Sequence, residues 1–462
     1  MNLGMLKLFS LLLITFFIQN VSASTDIKNI DFDFIKKGQQ DDNTLLIIGG
    51  IQGDEPGAFM AASIITTHYK IKKGSVWVVP NLNFYSIIKR SRGPYGDMNR
   101  KFAHISPTDP DYNTVQRIKE YITSPEVRVV LNLHDGSGFY REEHKDWNFS
   151  PNRWGQSSII DQSNLSVRSY GNLEEISKRV CEHVNENLLR QRDLYHTKNT
   201  HTRQGDKEME KSLTYYAINN GKAAFGNEAS KNLPLHERTY YHLLALEKYM
   251  NIMGIEFERE FDLDSKSVKD VIDDDIYISF YDDRIQLPLS QIRTILRYFP
   301  IRKDGTLEFT PSNPLLTVIK KNGQFVIHYG NRKLANLKPE YREIDNSIKS
   351  VSMLIDGERK NLKMGSIIDV DTSFQVEPLE GVRVNVIGFV KNGVENESGI
   401  SVNKDKFIKR FSIDKKGNLY RIEFYKGKKF AGMILVNFDK SKAKRATDAV
   451  ALKKLKKTTL SL

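Results

Sequence analysis

Four short segments carry residues whose types and spacing could do hydrolytic chemistry. In Gly50-Ile51-Gln52-Gly53-Asp54-Glu55-Pro56 an amide and a carboxylate lie three residues apart, across a turn that opens into a helix with Pro56 suited to its first position. Their oxygens can face one point. In Leu131-Asn132-Leu133-His134-Asp135 an imidazole emerges at a strand end. Three protein donors with a fourth position left to water make the open ligand set of a catalytic zinc rather than a closed structural one. The third segment, Lys89 to Phe102, places Arg90, Arg92 and Arg100 in a Gly/Pro-rich loop, with Asn99 beside the last, a set suited to forked capture of a carboxylate. In the fourth, Phe225-Gly226-Asn227-Glu228-Ala229, one acid closes an apolar strand. Near a metal such a glutamate is a candidate general base whose pKa is set by its surroundings.

Each segment also has an ordinary reading. A Q-x-x-E pair recurs by chance, a strand-end histidine is more often packed or hydrogen-bonded, a basic loop is usually solvated, and an acid can decorate an edge strand. The elements that position them make the chemistry worth pursuing. Thr44–Ile51 and Ser75–Asn83 read as short buried strands around a helix beginning at Pro56, a β-α-β unit. Val127–Gly138 and Lys222–Ser230 read as further strands, with an amphipathic helix over about 172–190 and a closing helix from Leu235 to a glycine stop at Gly254. All four segments therefore fall at strand ends or in the loops after them, where open α/β sheets bind their ligands.

The chain is expected to divide into a leader (1–23), an α/β domain with a mixed sheet flanked by helices (24–253), and two small all-β, immunoglobulin-like modules (254–340 and 341–462). The apolar run Leu8–Ile18 after Lys7, followed by Val21-Ser22-Ala23, has the form of a cleavable signal peptide and is about half the ~20 residues a membrane-spanning helix needs. No later stretch is apolar enough to span a bilayer, so the expected mature protein is soluble and exported, without a transmembrane segment. Cys181 is the one cysteine, so no intramolecular disulfide can form and a periplasmic location fits best. The net charge of +12 is dispersed, apart from the basic stretch Lys440–Lys457. It favours an anionic partner, a carboxylate-rich wall polymer or a membrane surface as readily as nucleic acid, and in an exported protein no nucleic-acid partner is expected.

Taken together, Glu55, Asp97-Met98-Asn99-Arg100, His134 and Glu228 resemble in order and context the zinc carboxypeptidase superfamily related to carboxypeptidase A. That family has a strand-end HxxE, a D-x-N-R loop, a later ligand histidine and a late-strand glutamate. Two departures stand out: Gln52 replaces the first histidine, and the loop His201–Ser212 has no tyrosine. The leader, the Q-x-x-E pair and the two β modules together resemble one exported subgroup, the cell-shape-determining peptidoglycan carboxypeptidases of helical Gram-negative bacteria, which remove the terminal diaminopimelate from muramyl tripeptide. The resemblance implies one Zn2+ per chain held by Gln52, Glu55 and His134, with Glu228 as base. It also implies Arg100 and Asn99 on the substrate carboxylate, Arg92 or Arg90 on the oxyanion or a second carboxylate, and Trp154 and Thr214 as substrate walls. The β modules would contact wall or protein partners. The rival readings are a zinc N-acyl amino acid deacylase and a wall-binding protein with a lapsed site.

Overall fold

Segments that are apolar throughout can be strands only if both faces are covered, and this is how the central strands are used. The computed structural model describes residues 30–274 and 276–439, with short strand segments at 22–23 and 458–460; most of the expected leader and the basic stretch 440–457 lie outside the described residues. Seven strands form the main sheet: β1 (Ile35–Gly38), β2 (Thr44–Ile48), β3 (Ser75–Val79), β4 (Val127–Gly136), β5 (Ser157–Ile160), β6 (His196–Asn199) and β7 (Ala223–Ser230), in the order β6-β5-β7-β4-β2-β3-β1. The inner run β7, β4, β2, β3 is parallel, whereas β5 pairs antiparallel with β7 and β1 antiparallel with β3. The sheet is therefore mixed.

Helix α1 (Pro56–His68) makes the β2-to-β3 crossover and is buried from Gly57 to Thr66, which explains why its sequence has no polar stripe. Helices α2 (Phe84–Lys89), α3 (Tyr112–Thr123), α4 (Leu173–Asn185), α5 (Leu213–Asn219) and α6 (Leu235–Ile252) complete the layers. Gly254, at φ 70, ends α6 in the left-handed conformation that glycine adopts without strain.

The chain does not turn all-β after Gly254. Glu256–Arg259 pairs back onto Tyr69–Lys73, and Ser265–Asp274 forms a further helix, α7. Asp264 accepts from the backbone N–H of Lys266 and Ser267, and Val268, Val271 and Ile272 make the buried stripe. Short elements with such polar outer faces resemble turns when read as sequence.

From Tyr277 onward the fold is strands, in two modules. The first, through Arg342, shares one continuous core with the α/β domain. Its Asn313 accepts from Ser63 Oγ at 2.8 Å, and Gly330 lies against Phe59. The second has a core of its own, from Ile348 to Phe438. Among the described residues no helix is long and apolar enough to cross a membrane. Cys181 is buried in α4, and burial pushes its thiol up to about 11, too high for a nucleophile at neutral pH.

Candidate active site

The period of a β-strand writes the site. On β4 and β7, which run side by side with His134 opposite Glu228, alternate residues face the same way. Asn132, His134 and Gly136 from β4, with Gly226 and Glu228 from β7, line a cavity of about 230 Å³. The loop after β2 adds Gln52 and Glu55, and Glu55 is the residue immediately before α1, so the turn that starts the helix also aims the carboxylate. A side chain at 136 would not fit: a Cβ there would sit 2.5 Å from Gly155 N and 2.7 Å from Glu228 Oε2.

Three donor atoms converge. His134 Nδ1 lies 2.9 Å from Glu55 Oε2 and 3.1 Å from Gln52 Oε1, and all three residues are buried. A tetrahedral ion with bonds of about 2.0 Å separates its ligands by about 3.3 Å, so these atoms need to spread only slightly to hold one. Among the described residues no three His, Cys, Asp and Glu side chains gather as a metal-binding group; here the third donor is an amide. Its orientation is fixed by Asp97, whose carboxylate accepts from Gln52 Nε2 at 2.7 Å and so leaves Oε1 on the inner side. Asp97 also accepts from Arg92 Nε at 2.9 Å and from the Asn99 backbone at 3.0 Å. Burial alone would raise its pKa, but the Gln52 bond and the charges of Arg92 and Arg100 hold it below the usual carboxylate range.

Glu228 is treated differently. It is 9% exposed, and its Oε2 has no hydrogen-bond partner. Burial pushes its pKa up to about 8; the charges of Glu55 and Asp135 add to this, while His134 and Lys231 oppose it. A buried, unpartnered carboxylate of raised pKa beside a donor triad can take up and return a proton.

The cations stand around the rim. Arg92, half exposed, reaches Glu55 Oε1 at 3.6 Å, and Lys231 reaches the same oxygen at 3.4 Å while pairing with Asp54 at 2.7 Å. Arg100 donates to the Asn99 carbonyl at 3.1 Å, and Asn99 Oδ1 accepts from the Leu213 backbone at 3.0 Å. Trp154 and Thr214 also line the cavity. Arg90 does not. It caps α2 in the left-handed conformation, at φ 54, and its Nε donates to the carbonyl of Asn331 in the first β module.

Some participants had no signal in the sequence. Met209, in the loop without a tyrosine, supplies an apolar wall, and Lys231 and Asn132 join the lining. Behind the sheet Asp135 accepts from Gly57 N at 2.7 Å and Arg238 at 2.8 Å, and lies 3.1 Å from His242 Nε2. His242 Nδ1 is 2.9 Å from Asn227 Nδ2, and Tyr195 donates to Asn227 Oδ1 at 2.9 Å, so a buried polar chain anchors the strand that carries His134.

A family described as "carboxypeptidase controlling helical cell shape, catalytic" matches residues 8–273, and one described as "C-terminal domain of metallo-carboxypeptidase" matches residues 344–439. No curated protein matches the chain. Among solved structures, the product-bound Cell Shape Determinant protein Csd4 from Helicobacter pylori is 41% identical, with 88% of this chain and 100% of that one covered at a TM-score of 0.79. The tripeptide-bound form of the same protein has the same identity, coverage and TM-score. Its mDAP-bound form, described as a D,L-carboxypeptidase, is 42% identical, covering 87% of this chain and 99% of that one, at a TM-score of 0.79. With the donor triad, the unpartnered glutamate and the ring of cations set on this sheet, and with these matches along most of its length, the chain belongs to the family of carboxypeptidases controlling helical cell shape.

Proposed function

We propose that this chain is a periplasmic, zinc-dependent D,L-carboxypeptidase that trims peptidoglycan stem peptides, removing the terminal meso-diaminopimelate of the muramyl tripeptide and leaving a dipeptide. The observation that carries the reading is the convergence of Gln52 Oε1, Glu55 Oε2 and His134 Nδ1 in the cavity that also holds Glu228 and the guanidinium groups of Arg92 and Arg100. The tripeptide and mDAP seen on the Csd4 relatives supply the substrate class. The apolar leader sequence supports export.

Gln52, Glu55 and His134 would hold one Zn2+, a Lewis acid that polarises the scissile carbonyl and acidifies water. Replacing a histidine by Gln52 leaves the ligand charge unchanged, with a weaker donor, so affinity rather than acidity is what the exchange lowers. Arg100, steadied by the Asn99 carbonyl, takes the terminal carboxylate of the substrate together with the Asn99 side chain. Arg92 stands over Glu55 at the cavity mouth, where it faces the oxyanion or the second carboxylate of diaminopimelate. Glu228 accepts a proton from the attacking water on Oε2, the oxygen without a hydrogen-bond partner, and delivers it to the leaving amine. Trp154 and Thr214 wall the peptide.

The test is Glu228→Ala. Cleavage of purified muramyl tripeptide should fall by more than about a hundredfold, the lower end of what a general base contributes, while bound zinc, measured by mass spectrometry of the native protein, stays at the wild-type level. Full residual activity in that variant would remove Glu228 from the reaction.

A further inference from the structure

A second cavity, of about 420 Å³, shares no lining residue with the first and lies where the two β modules meet, its walls coming from residues 293–298, 410–413 and 421. Four arginines line it, Arg293, Arg297, Arg410 and Arg421, and no acidic side chain is among its lining residues. Its floor is Arg421, 6% exposed, whose Nε has no hydrogen-bond partner although Glu423 Oε1 lies 3.3 Å away. The walls are fixed to one another across the module junction. Arg421 donates to the Arg297 carbonyl at 2.8 Å, Arg293 Nε to the Ser412 carbonyl at 2.8 Å, and the backbone N–H of Arg293 to the Ile413 carbonyl at 2.8 Å.

The rim is shaped rather than left over. In the strand Ile295–Arg302 the pairing with Arg332–Arg342 slips between Leu296 and Phe299, so Arg297 and Tyr298 bulge out of the ladder. Tyr298 takes φ 54, a conformation in which an aromatic residue is strained, and the residue is 62% exposed. Among the described residues neither Arg297 nor Arg410 is paired with a carboxylate. Arg421 is balanced by the buried Glu423, so the free cations are those of the rim: a strained bulge that turns Arg297 and Tyr298 outward, in the cleft that Arg410 and Phe411 also line, is a way of presenting cations and a flat apolar face to something anionic.

We infer that this cleft between the β modules binds the peptidoglycan strand itself, its guanidinium groups taking stem-peptide carboxylates and Tyr298 lying against the glycan, so that the enzyme is held on the wall by a site separate from the one that cuts. The inference rests on the carboxypeptidase reading for its choice of polymer. The cleft has nearly twice the volume of the catalytic cavity, which suits a segment of polymer better than a single small ion. A polymer that carries carboxylates at every repeat also meets several arginines at once, which multiplies weak contacts.

The experiment compares the full-length wild type, the double variant Arg297→Glu/Arg410→Glu, and Tyr298→Gly in three measurements: co-sedimentation with purified insoluble peptidoglycan sacculi, co-sedimentation with phosphatidylglycerol vesicles, and hydrolysis of soluble muramyl tripeptide. The double variant should lose sacculus retention by about tenfold or more, the scale of one lost charge-assisted contact, and keep wild-type hydrolysis of the soluble tripeptide. Tyr298→Gly should melt at a higher temperature, because its backbone is relieved, and yet bind sacculi more weakly. Unchanged retention in both variants overturns the inference. So does charge-dependent retention on the vesicles equal to that on sacculi, which would mark a membrane-directed patch instead. If the wild type is retained on sacculi but cleaves no tripeptide, it is the enzymatic reading that fails.

Discussion

Asp97 decides which way the amide of Gln52 points, and replacing it by asparagine should weaken metal binding without changing a ligand. A carboxylate can only accept. Gln52 must therefore turn Nε2 towards it, at 2.7 Å, and this leaves Oε1 3.1 Å from His134 Nδ1. Arg92 Nε uses Asp97 Oδ2 at 2.9 Å, while Gln52 Nε2 and the Asn99 backbone share Oδ1 at 2.7 and 3.0 Å, so the NH2 group of an asparagine at 97 must replace one of these acceptors and the oxygen that stays is uncharged. The glutamine then loses its charge-assisted bond, worth roughly 1.5–3 kcal/mol, and can flip to present Nε2 where a metal needs oxygen. The expected result is zinc binding weaker by about 10- to 100-fold, the range seen when an outer partner of a ligand is removed. Competition titration against a chromophoric chelator measures it, with circular dichroism to show that the fold is kept. Gln52→His alone should bind zinc as tightly as the wild type or more so, and in that background Asp97→Asn should cost less than about fivefold, since an imidazole N–H can still donate to the new oxygen. Equal losses in the two backgrounds, or a loss below about threefold with Gln52 in place, would refute the orientation argument.

Two further outcomes test the frame around the site. Arg238→Met leaves the fully buried Asp135 with His242 and the Gly57 N–H as its remaining partners, and breaking a buried pair in this way should cost roughly 3–5 kcal/mol in urea unfolding; a loss under about 1 kcal/mol would mean that the polar chain behind β4 is not an anchor. Asp356, in the second β module, has its pKa held down to about 2: burial pushes the other way, but the backbone N–H groups of Asp371, Thr372 and Ser373 and the Thr372 hydroxyl outweigh it. A carboxyl depressed in the folded state stabilises above its unfolded value near 4, and that contribution is lost as pH falls towards 2. The melting temperature of the wild type should therefore drop between pH 4 and pH 2, and Asp356→Asn, which keeps a residue tolerant of its φ of 51, should flatten that drop; an unaltered slope would show that other groups set the acid limit.

What could be read from the sequence follows from how local each signal is. Gln52 and Glu55 share one turn, and His134 and Glu228 sit at the ends of strands whose apolar runs are plain, so their types and contexts were visible together. The choice between Arg90 and Arg92 was not, because it turns on a single backbone angle. The left-handed cap at Arg90 sends that side chain to Asn331, and two residues later the chain has reversed enough for Arg92 to meet Glu55 and Asp97. Helix α7 was hidden by the glycine stop before it and by a stripe of only Val268, Val271 and Ile272. The side-chain partners of Asp135, Arg238 and His242, lie 103 and 107 residues away on α6, and nothing local in the sequence ties them to it.

Two acids on neighbouring strands show how one sheet can prepare opposite charge states. In register, Glu228 lies opposite His134 and Ala229 opposite Asp135, so Glu228 and Asp135 are within one step of each other but face opposite sides. On the far side α6 brings Arg238 and His242, and although burial alone would raise the pKa of Asp135, their bonds and charges keep it below the usual carboxylate range. On the cavity side Glu228 has no such partner, and burial raises it to about 8. The helix layer supplies the difference, since the strands themselves treat both positions alike. A cation brought to Gln52, Glu55 and His134 would lower the pKa of Glu228 from its metal-free value, because positive charge nearby favours the carboxylate. The donor triad and the role proposed for Glu228 would therefore be coupled electrostatically: a cation held by Gln52, Glu55 and His134 would favour the ionised form of Glu228 that a general base needs. Glutamine at position 52 keeps that coupling intact, since it changes the strength of one donor and not the charge that Glu228 faces.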